Sequence, residues 1–387
     1  MQKVILMSEK RINVCVDGNY LFHKTFGVIA GYGDKNPGDF LSSPGDRSLL
    51  MKKIMTDLCY SLNLIPGVDQ VIFCKDSRSW RKDFKITRSS YKESRVKEEG
   101  VDWTSFFQLM EEFGAFLEKN GFHYSNVQGA EGDDLLWHWN KKLREKEQNV
   151  LIFTGDKDMH QLVGHNNQSW TIVWNANSKN NKIVCSKGWI DSIRVTEKEM
   201  SIFDVTPTST DERQQLDSFL RMCIIEEIDP FEFIFKKILV GDKKDDVPAV
   251  YEFVNPKGSI SRLTDSRAEK IWTAFKQSKW NGLDLEQVWK DAEFLEWVSG
   301  FILRSIGESD TLEKREITKQ NYYENAKLVW LNQEAIPEDL VYKMSILSNN
   351  QTSESKIPLL NKKTMISTSP WGDVNSTPKQ FDPFDLF

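Results

Sequence analysis

Ile12-Asn-Val-Cys-Val-Asp17 reads as a short, mostly apolar β-strand that runs straight into a carboxylate. The same grammar returns twice, as Val71-Ile-Phe-Cys-Lys-Asp76 and as Val150-Leu-Ile-Phe-Thr-Gly-Asp156. Strands without polar alternation suit a sheet covered on both faces, which is the habit of parallel sheets. Between the strands lie stretches of helical period. Leu50, Ile54, Leu58 and Leu62 recur four apart in the segment from Arg47. Phe106, Leu109, Phe113 and Leu117 follow Asp102, a residue type that caps helix N-termini. Alternating strands and helices predict an α/β fold around a central, mostly parallel sheet.

Working outward, the β-branched and Trp-containing runs from Trp170 to Val195 predict a β-hairpin or loop insertion. Helical patterns dominate from Asp211 to Ser348, with Phe219, Met222, Cys223 and the Ile234–Leu239 stretch as expected core. Beyond Ser348 the composition turns to Asn, Ser, Thr, Lys and Pro, as in a linker. The division is then an α/β core (1–205) with a basic bridge region (77–100), a helical region (206–347), a linker (348–379) and a terminal segment (380–387).

Composition removes several classes. With 39% hydrophobic residues among 387, the chain can bury a large core, and its net charge of −6 excludes a polycation. No run approaches the roughly 18 consecutive apolar residues of a membrane span. The start, Met1 to Lys10, is too short and mixed for a secretory signal. Five scattered cysteines without a Cys-x-x-Cys pair argue against a disulfide scaffold and against structural zinc. The expectation is a soluble protein of the cytoplasm. No glycine loop of the Walker type is present, and the five histidines lack metal-ligand spacing.

In open α/β sheets, ligands bind beyond the carboxyl ends of the strands. Asp17, Asp76, Asp156 and Asp158 follow the three strand-like runs. Glu131, Asp133 and Asp134 open an amphipathic helix that continues through Leu135, Leu136, Trp139 and Leu143. Asp242 and Asp245 follow an apolar run ending at Val240. Any one of these reads as a turn residue or helix cap. Most of nine carboxylates collected at one mouth do not, because like charges that close cannot all ionise unless cations compensate them. Hard oxygen donors in this number select Mg²⁺ or Mn²⁺. Two such ions activate a water and stabilise the leaving oxygen in phosphodiester hydrolysis. The ligand spacing of an EF-hand is missing.

Next to the second strand lies a basic stretch. From Lys75 to Lys97, nine basic residues against three acidic ones give +6 in an otherwise acidic chain. Arg78, Arg81, Lys82, Lys85, Arg88, Lys92 and Arg95 are interleaved with Trp80, Phe84 and Tyr91. A solvated charged helix is the ordinary fate of such a run. Beside a polyanionic metal site, however, a positive flap suits a nucleic-acid phosphodiester, with Tyr91 placed to stack on a base.

The order of these pieces resembles the 5′-nuclease family of flap endonucleases and 5′→3′ exonucleases. The likeness rests on Val16-Asp17-Gly18-Asn19, Asp76, Tyr91-Lys92-x-x-Arg95, Gly129-Ala-Glu-Gly-Asp-Asp134, Thr154-Gly-Asp-Lys-Asp158 and Gly241-Asp-Lys-Lys-Asp-Asp-Val-Pro248, over roughly residues 11–345. Trp80-Arg-Lys-Asp-Phe84 makes it most similar to the RNase H branch of T-even-like phages. The resemblance implies a PIN-like nuclease core and two Mg²⁺, with Mn²⁺ able to substitute. It implies removal of RNA primers and adjacent DNA during lagging-strand replication, and branched or nicked DNA and RNA–DNA hybrid as substrates. Residue by residue, it implies Asp17, Asp76, Glu131 and Asp133 at a first ion, and Asp156, Asp158 and Asp242 at a second, with Asp133 bridging. Asp134 and Asp245 would act directly or through bound water. Lys92 and Arg95 would hold the scissile phosphate, with Arg81 as a further clamp.

The sequence also departs from that pattern. The family's paired glycines, which carry a potassium ion against duplex phosphates, are absent after Pro248. That counts against potassium here and leaves duplex binding to Lys257, Arg262, Arg267 and Lys270. In the terminal segment, Gln380, Phe381, Phe384, Leu386 and Phe387 form an aromatic plug on a polar tether. It is similar to sliding-clamp docking tails and, through its alternating Phe and Asp, to the tails of single-strand DNA-binding proteins. A non-catalytic accessory binding branched DNA would have lost ligand carboxylates, and none is missing. A four-way-junction resolvase would need a dimer, whereas a monomer is expected.

Overall fold

Eight strands form the central sheet: β1 (Ile12–Asp17), β2 (Val68–Cys74), β3 (His123–Ser125), β4 (Asn149–Thr154), β5 (Gly164–His165), β6 (Trp170–Asn175), β7 (Lys182–Ser186) and β8 (Ile224–Ile228). They lie in the order β3-β2-β1-β4-β6-β7-β8, with β5 against β6. The pairs β1–β2, β1–β4, β2–β3, β4–β6 and β7–β8 are parallel, whereas β6 and β7 pair antiparallel as the expected hairpin. This computed structural model describes residues 12–31, 36–62, 68–84, 88–94, 102–175, 182–193, 219–283 and 285–351. The fold is α/β, as the sequence predicts.

The apolar strands are explained by cover on both faces. Val14, Val16, Val71, Phe73, Leu151 and Phe153 point to one side. There they meet α1 (Gly18–Gly31), α2 (Pro37–Ser42), α3 (Pro44–Leu62) and α4 (Trp103–Lys119). The four-apart leucines and isoleucine of α3 are all buried, and Asp102 caps α4 by accepting the Ser105 N–H at 3.1 Å. Cys15, Ile72, Cys74, Val150 and Ile152 point the other way, against α5 (Gly132–Glu145). Alternate residues of each strand therefore enter two different cores.

After α6 (Trp189–Ile193) and β8, a second apolar core gathers α7 (Pro230–Val240), α8 (Asp265–Lys276), α9 (Leu285–Val288), α10 (Ala292–Ile306) and α11 (Leu312–Val329). A small antiparallel hairpin, β9 (Glu252–Val254) and β10 (Ile260–Arg262), precedes α8. The last helix, α12 (Glu338–Gln351), returns to the sheet and packs Leu340 and Met344 on the α5 side. Among the described residues no helix is long and apolar enough to cross a membrane.

Three expectations shift. The region after residue 206 supplies the edge strand β8 as well as helices. Met222, expected in the core, is 58% exposed, because it sits on the turn that leads into β8. Ser348, assigned to the linker, is buried on α12, where its hydroxyl meets His138 Nε2 at 3.0 Å. The segment 352–387, including the aromatic tail, lies outside the described residues.

Candidate active site

The sheet order reverses between β1 and β4, the place where open α/β sheets form a ligand crevice. Asp17 ends β1, and Asp156 follows the end of β4. Thr154 Oγ1 ties the two strand ends together by donating to Asp17 Oδ2 at 2.8 Å. The other Asp17 oxygen accepts the Tyr20 N–H at 2.9 Å, so α1 fixes the carboxylate by its own first turn. Burial, and then the neighbouring Asp76, push the Asp17 carboxyl up to about 7.

Asp76 follows β2 and is held from two sides. Asn19 donates to its Oδ2 at 2.8 Å and accepts its backbone N–H at 3.0 Å. The Gly132 N–H donates to Oδ1 at 2.5 Å, and a Cβ at Gly132 would stand only 2.8 Å from that oxygen. A side chain there would push Asp76 out of place. Asp76 opens to solvent yet is crowded on its protein sides; that desolvation raises its pKa. Asp133, one residue on from Gly132, is raised far above the carboxylate range by burial and then by Asp156, Glu131, Asp17 and Asp76. Four elements thus converge on one negatively charged pocket.

A second acidic group adjoins it. Carboxylate oxygens of Asp158, Asp242 and Asp245 lie within 4.8 Å of one another. Asp156 accepts the Asp158 N–H at 2.9 Å, which links the groups. Asp242 sits in a tight loop closed by reciprocal backbone bonds with Val247. Gly241 makes that loop possible: its φ is 79°, and a Cβ would lie 2.3 Å from the Val247 carbonyl oxygen.

Two lysines enter this acidic ground. Lys92 pairs with Glu131 and lies 3.9 Å from Asp245, and its backbone adopts a left-handed φ of 56°. Lys237, which the motifs of the sequence did not single out, donates to Asp158 and, at 2.8 Å, to Asp242 Oδ2. Burial would lower its pKa, but Asp158 and Asp242 outweigh that and hold it at about 12. Its signal was the position on α7, one turn before Gly241-Asp242.

Several expected ligands and contacts sit elsewhere. Arg81, expected as a phosphate clamp, is 2% exposed. Its guanidinium donates to both oxygens of Asp134 (2.8 and 3.1 Å), to Glu131 at 3.0 Å and to the Leu328 carbonyl at 2.9 Å. Asp134, expected at the metal, is wholly buried, and also accepts from Trp80 Nε1 and the Glu131 N–H. Its lone pairs are committed to the protein. Burial pulls the Glu131 carboxyl upward, but Arg81 and Lys92 hold it at about 2.

Tyr91, expected to stack on a base, is buried in the helical core, its hydroxyl 3.2 Å from Glu131 Oε2 and 3.1 Å from Asp245 Oδ2. Arg88 donates to the Ala249 carbonyl and to Asn325 Oδ1, so it binds the bridge segment to α11. Arg78 and Lys82 are exposed, with Arg78 paired to Asp83. Lys257, Arg262 and Lys270 are exposed on and after the β9–β10 hairpin, and Arg267 donates to the Arg262 carbonyl. Lys85 and Arg95 lie outside the described residues.

A doubly covered sheet with carboxylates massed at its switch point defines the class: an α/β protein with an acidic crevice beyond the carboxyl ends of its strands. A family model narrows this, for residues 13–198 match the 5′-3′ exonuclease N-terminal resolvase-like domain. That match, over just under half of the chain, supports the resemblance to the 5′-nuclease family. Among solved structures, it is similar to the T5 5′-exonuclease with divalent zinc ions bound, at 16% identity and a TM-score of 0.48, covering 88% of this chain and 100% of that one. It is also similar to the bacteriophage T5 flap endonuclease in a complex with DNA and metal ions, at 15% identity and 0.48, covering 88% and 99%. No curated protein matches the sequence.

Proposed function

We propose that the protein is a two-metal, Mg²⁺-dependent 5′-nuclease that cleaves phosphodiesters near the 5′ ends of flaps, nicked duplexes and RNA–DNA hybrids. The observation that carries this reading is the pair of adjoining carboxylate groups at the sheet's switch point, with a lysine ammonium drawn in between Asp158 and Asp242. An all-oxygen donor set that recruits a cation from its own chain fits hard divalent ions.

Asp17, Asp76, Glu131 and Asp133 would hold one ion, and Asp156, Asp158, Asp242 and Asp245 the other. Asp134 is left out, because Arg81 saturates it. When bound, such ions supply an activated water and stabilise charge on the leaving oxygen. The chain's own residues do the positioning. Asn19, Thr154, Tyr20 and Gly132 aim Asp17 and Asp76 before any ligand arrives, so little reorganisation remains. Lys92, in its left-handed conformation beside Glu131, stands where a scissile phosphate would need a positive partner.

In this reading Arg95 joins Lys92 on the phosphate, and Lys82, Lys85, Lys257, Arg262, Arg267 and Lys270 hold the duplex backbone. RNase H activity, a place in lagging-strand replication and docking of the 380–387 segment on a sliding clamp or a single-strand DNA-binding protein complete it. The test is cleavage of a 5′-labelled flap and a 5′-labelled RNA–DNA hybrid in Mg²⁺, beside EDTA and Asp133→Asn lanes. Short 5′ products lost in both controls support the nuclease and rank the substrates. Tight binding without cleavage, in Mg²⁺ or Mn²⁺, leaves a DNA-binding accessory instead.

A further inference from the structure

Lys237 projects from the last turn of α7 with its side chain only 11% exposed, and donates to Asp158 and Asp242 at once. Those carboxylates, with Asp245, are the ones whose oxygens converge within 4.8 Å. A divalent ion there would require the same lone pairs, at about 2.0–2.1 Å for Mg²⁺. An ammonium and a divalent cation compete for them, because two positive charges so close together repel strongly.

Resting on the two-metal reading above, we propose that Lys237 is a displaceable internal counter-ion, which neutralises the second metal position until an ion arrives and then swings out. The linker chemistry suits the role: four methylenes give the ammonium several alternative rotamers, whereas a guanidinium would be held by its planar fork. Its neighbour Lys236 is differently engaged, pairing with Glu232 and Glu269 away from the acidic groups. Charge competition of this kind makes the affinity of the second ion a property set by Lys237.

The experiment is titration of the full chain with Mn²⁺, followed by calorimetry and by the electron paramagnetic resonance of free Mn²⁺. Wild type is compared with Lys237→Met, of similar length but uncharged, and with Lys236→Met as the control. The second Mn²⁺ should bind Lys237→Met on the order of tenfold more tightly, with the first unchanged and Lys236→Met like wild type. An unchanged or weaker second site in Lys237→Met would overturn the proposal while leaving two-metal binding intact. Uptake of one ion only, by every protein, would overturn both. Should Lys237→Met not fold, ¹⁵N-lysine side-chain spectra of wild type during Mg²⁺ titration decide. The ammonium signal missing from Lys237→Arg should move as the second ion saturates, and a signal that stays fixed refutes the displacement.

Discussion

Arg81 lays its guanidinium along both oxygens of Asp134, at 2.8 and 3.1 Å, while its Nε reaches the Leu328 carbonyl on α11. One side chain therefore joins the bridge region, the α5 start and the helical region. Breaking a buried pair on one side leaves the other charge unpaired, which costs about 3–5 kcal/mol. Arg81→Met should lower the urea midpoint accordingly, whereas Arg78→Ala, at an exposed pair, should leave it unchanged. A normal midpoint with weakened DNA binding in Arg81→Met would instead restore the phosphate-clamp role.

The acidic pocket predicts how metal and pH act together on stability. Asp17 has its carboxyl raised from 3.8 to about 7 on folding. The raised value means its contribution is complete below about 4 and is lost as pH rises through about 7. A bound cation reverses that, because it requires the ionised form. The rise in Tm on adding Mg²⁺ should therefore be larger at pH 7.5 than at pH 5.5. At a hundredfold excess over Kd the gain is about 2.7 kcal/mol, worth roughly 3–4 °C in a chain of this length. Burial holds His138 and His160 down at about 4. Their contribution is lost as pH falls below 6.5; that of His138, set by burial and nearby lysines, is the same with and without metal and cancels from the difference. Asp133→Asn should be more stable than wild type in EDTA and gain little from Mg²⁺. A metal gain equal at both pH values would sink this account.

Gly241 offers a backbone test of the second acidic group. Its φ of 79° and the 2.3 Å approach of the Val247 carbonyl to any added Cβ leave no room for alanine. Gly258 has nearly the same φ, 78°, but its Cβ would meet open space. Gly241→Ala should cost roughly 1–3 kcal/mol or more and displace Asp242, weakening metal binding. Gly258→Ala carries only the conformational penalty, about 1 kcal/mol, and should bind metal normally. Paired thermal melts and Mn²⁺ titrations check both; equal effects at the two glycines would count against the loop's role.

How much of this was legible in the sequence depends on the kind of signal. Apolar strands that end on Asp17, Asp76 and Asp156 announce themselves, because burial on both faces removes polar alternation. The four-apart residues of α3 and the Asp102 cap of α4 were equally plain. The partners of Arg81 were not. A basic run advertises charge, and charge alone does not say whether it faces solvent or a buried carboxylate 53 residues away. Lys237 was hidden for the opposite reason: it lies in an apolar run read as core, and only the packing of α7 on the turn after β4 brings it to Asp158. Motif order finds the carboxylates, whereas long-range pairing decides which of them remain open.

Tyr91 separates two roles that one substitution can tell apart. The ring packs in the helical core, and its hydroxyl lies between Glu131 and Asp245, one carboxylate from each acidic group. A phenylalanine keeps the aromatic face and removes only the hydroxyl. If Tyr91 stacked on a base, Tyr91→Phe would be silent, since every base offers a π-face to either ring. If its hydroxyl bridges the two carboxylates, Tyr91→Phe removes that bridge and leaves Lys92 as the group near both. Stability should then fall by about 1–2 kcal/mol in EDTA. Cleavage should slow through kcat with KM little changed, because the ring is buried and the displaced groups are those proposed to hold the metal. Single-turnover cleavage of a 5′ flap, beside a melt of the metal-free protein, measures both. A variant that melts and cleaves like wild type would show that the hydroxyl does no such bridging.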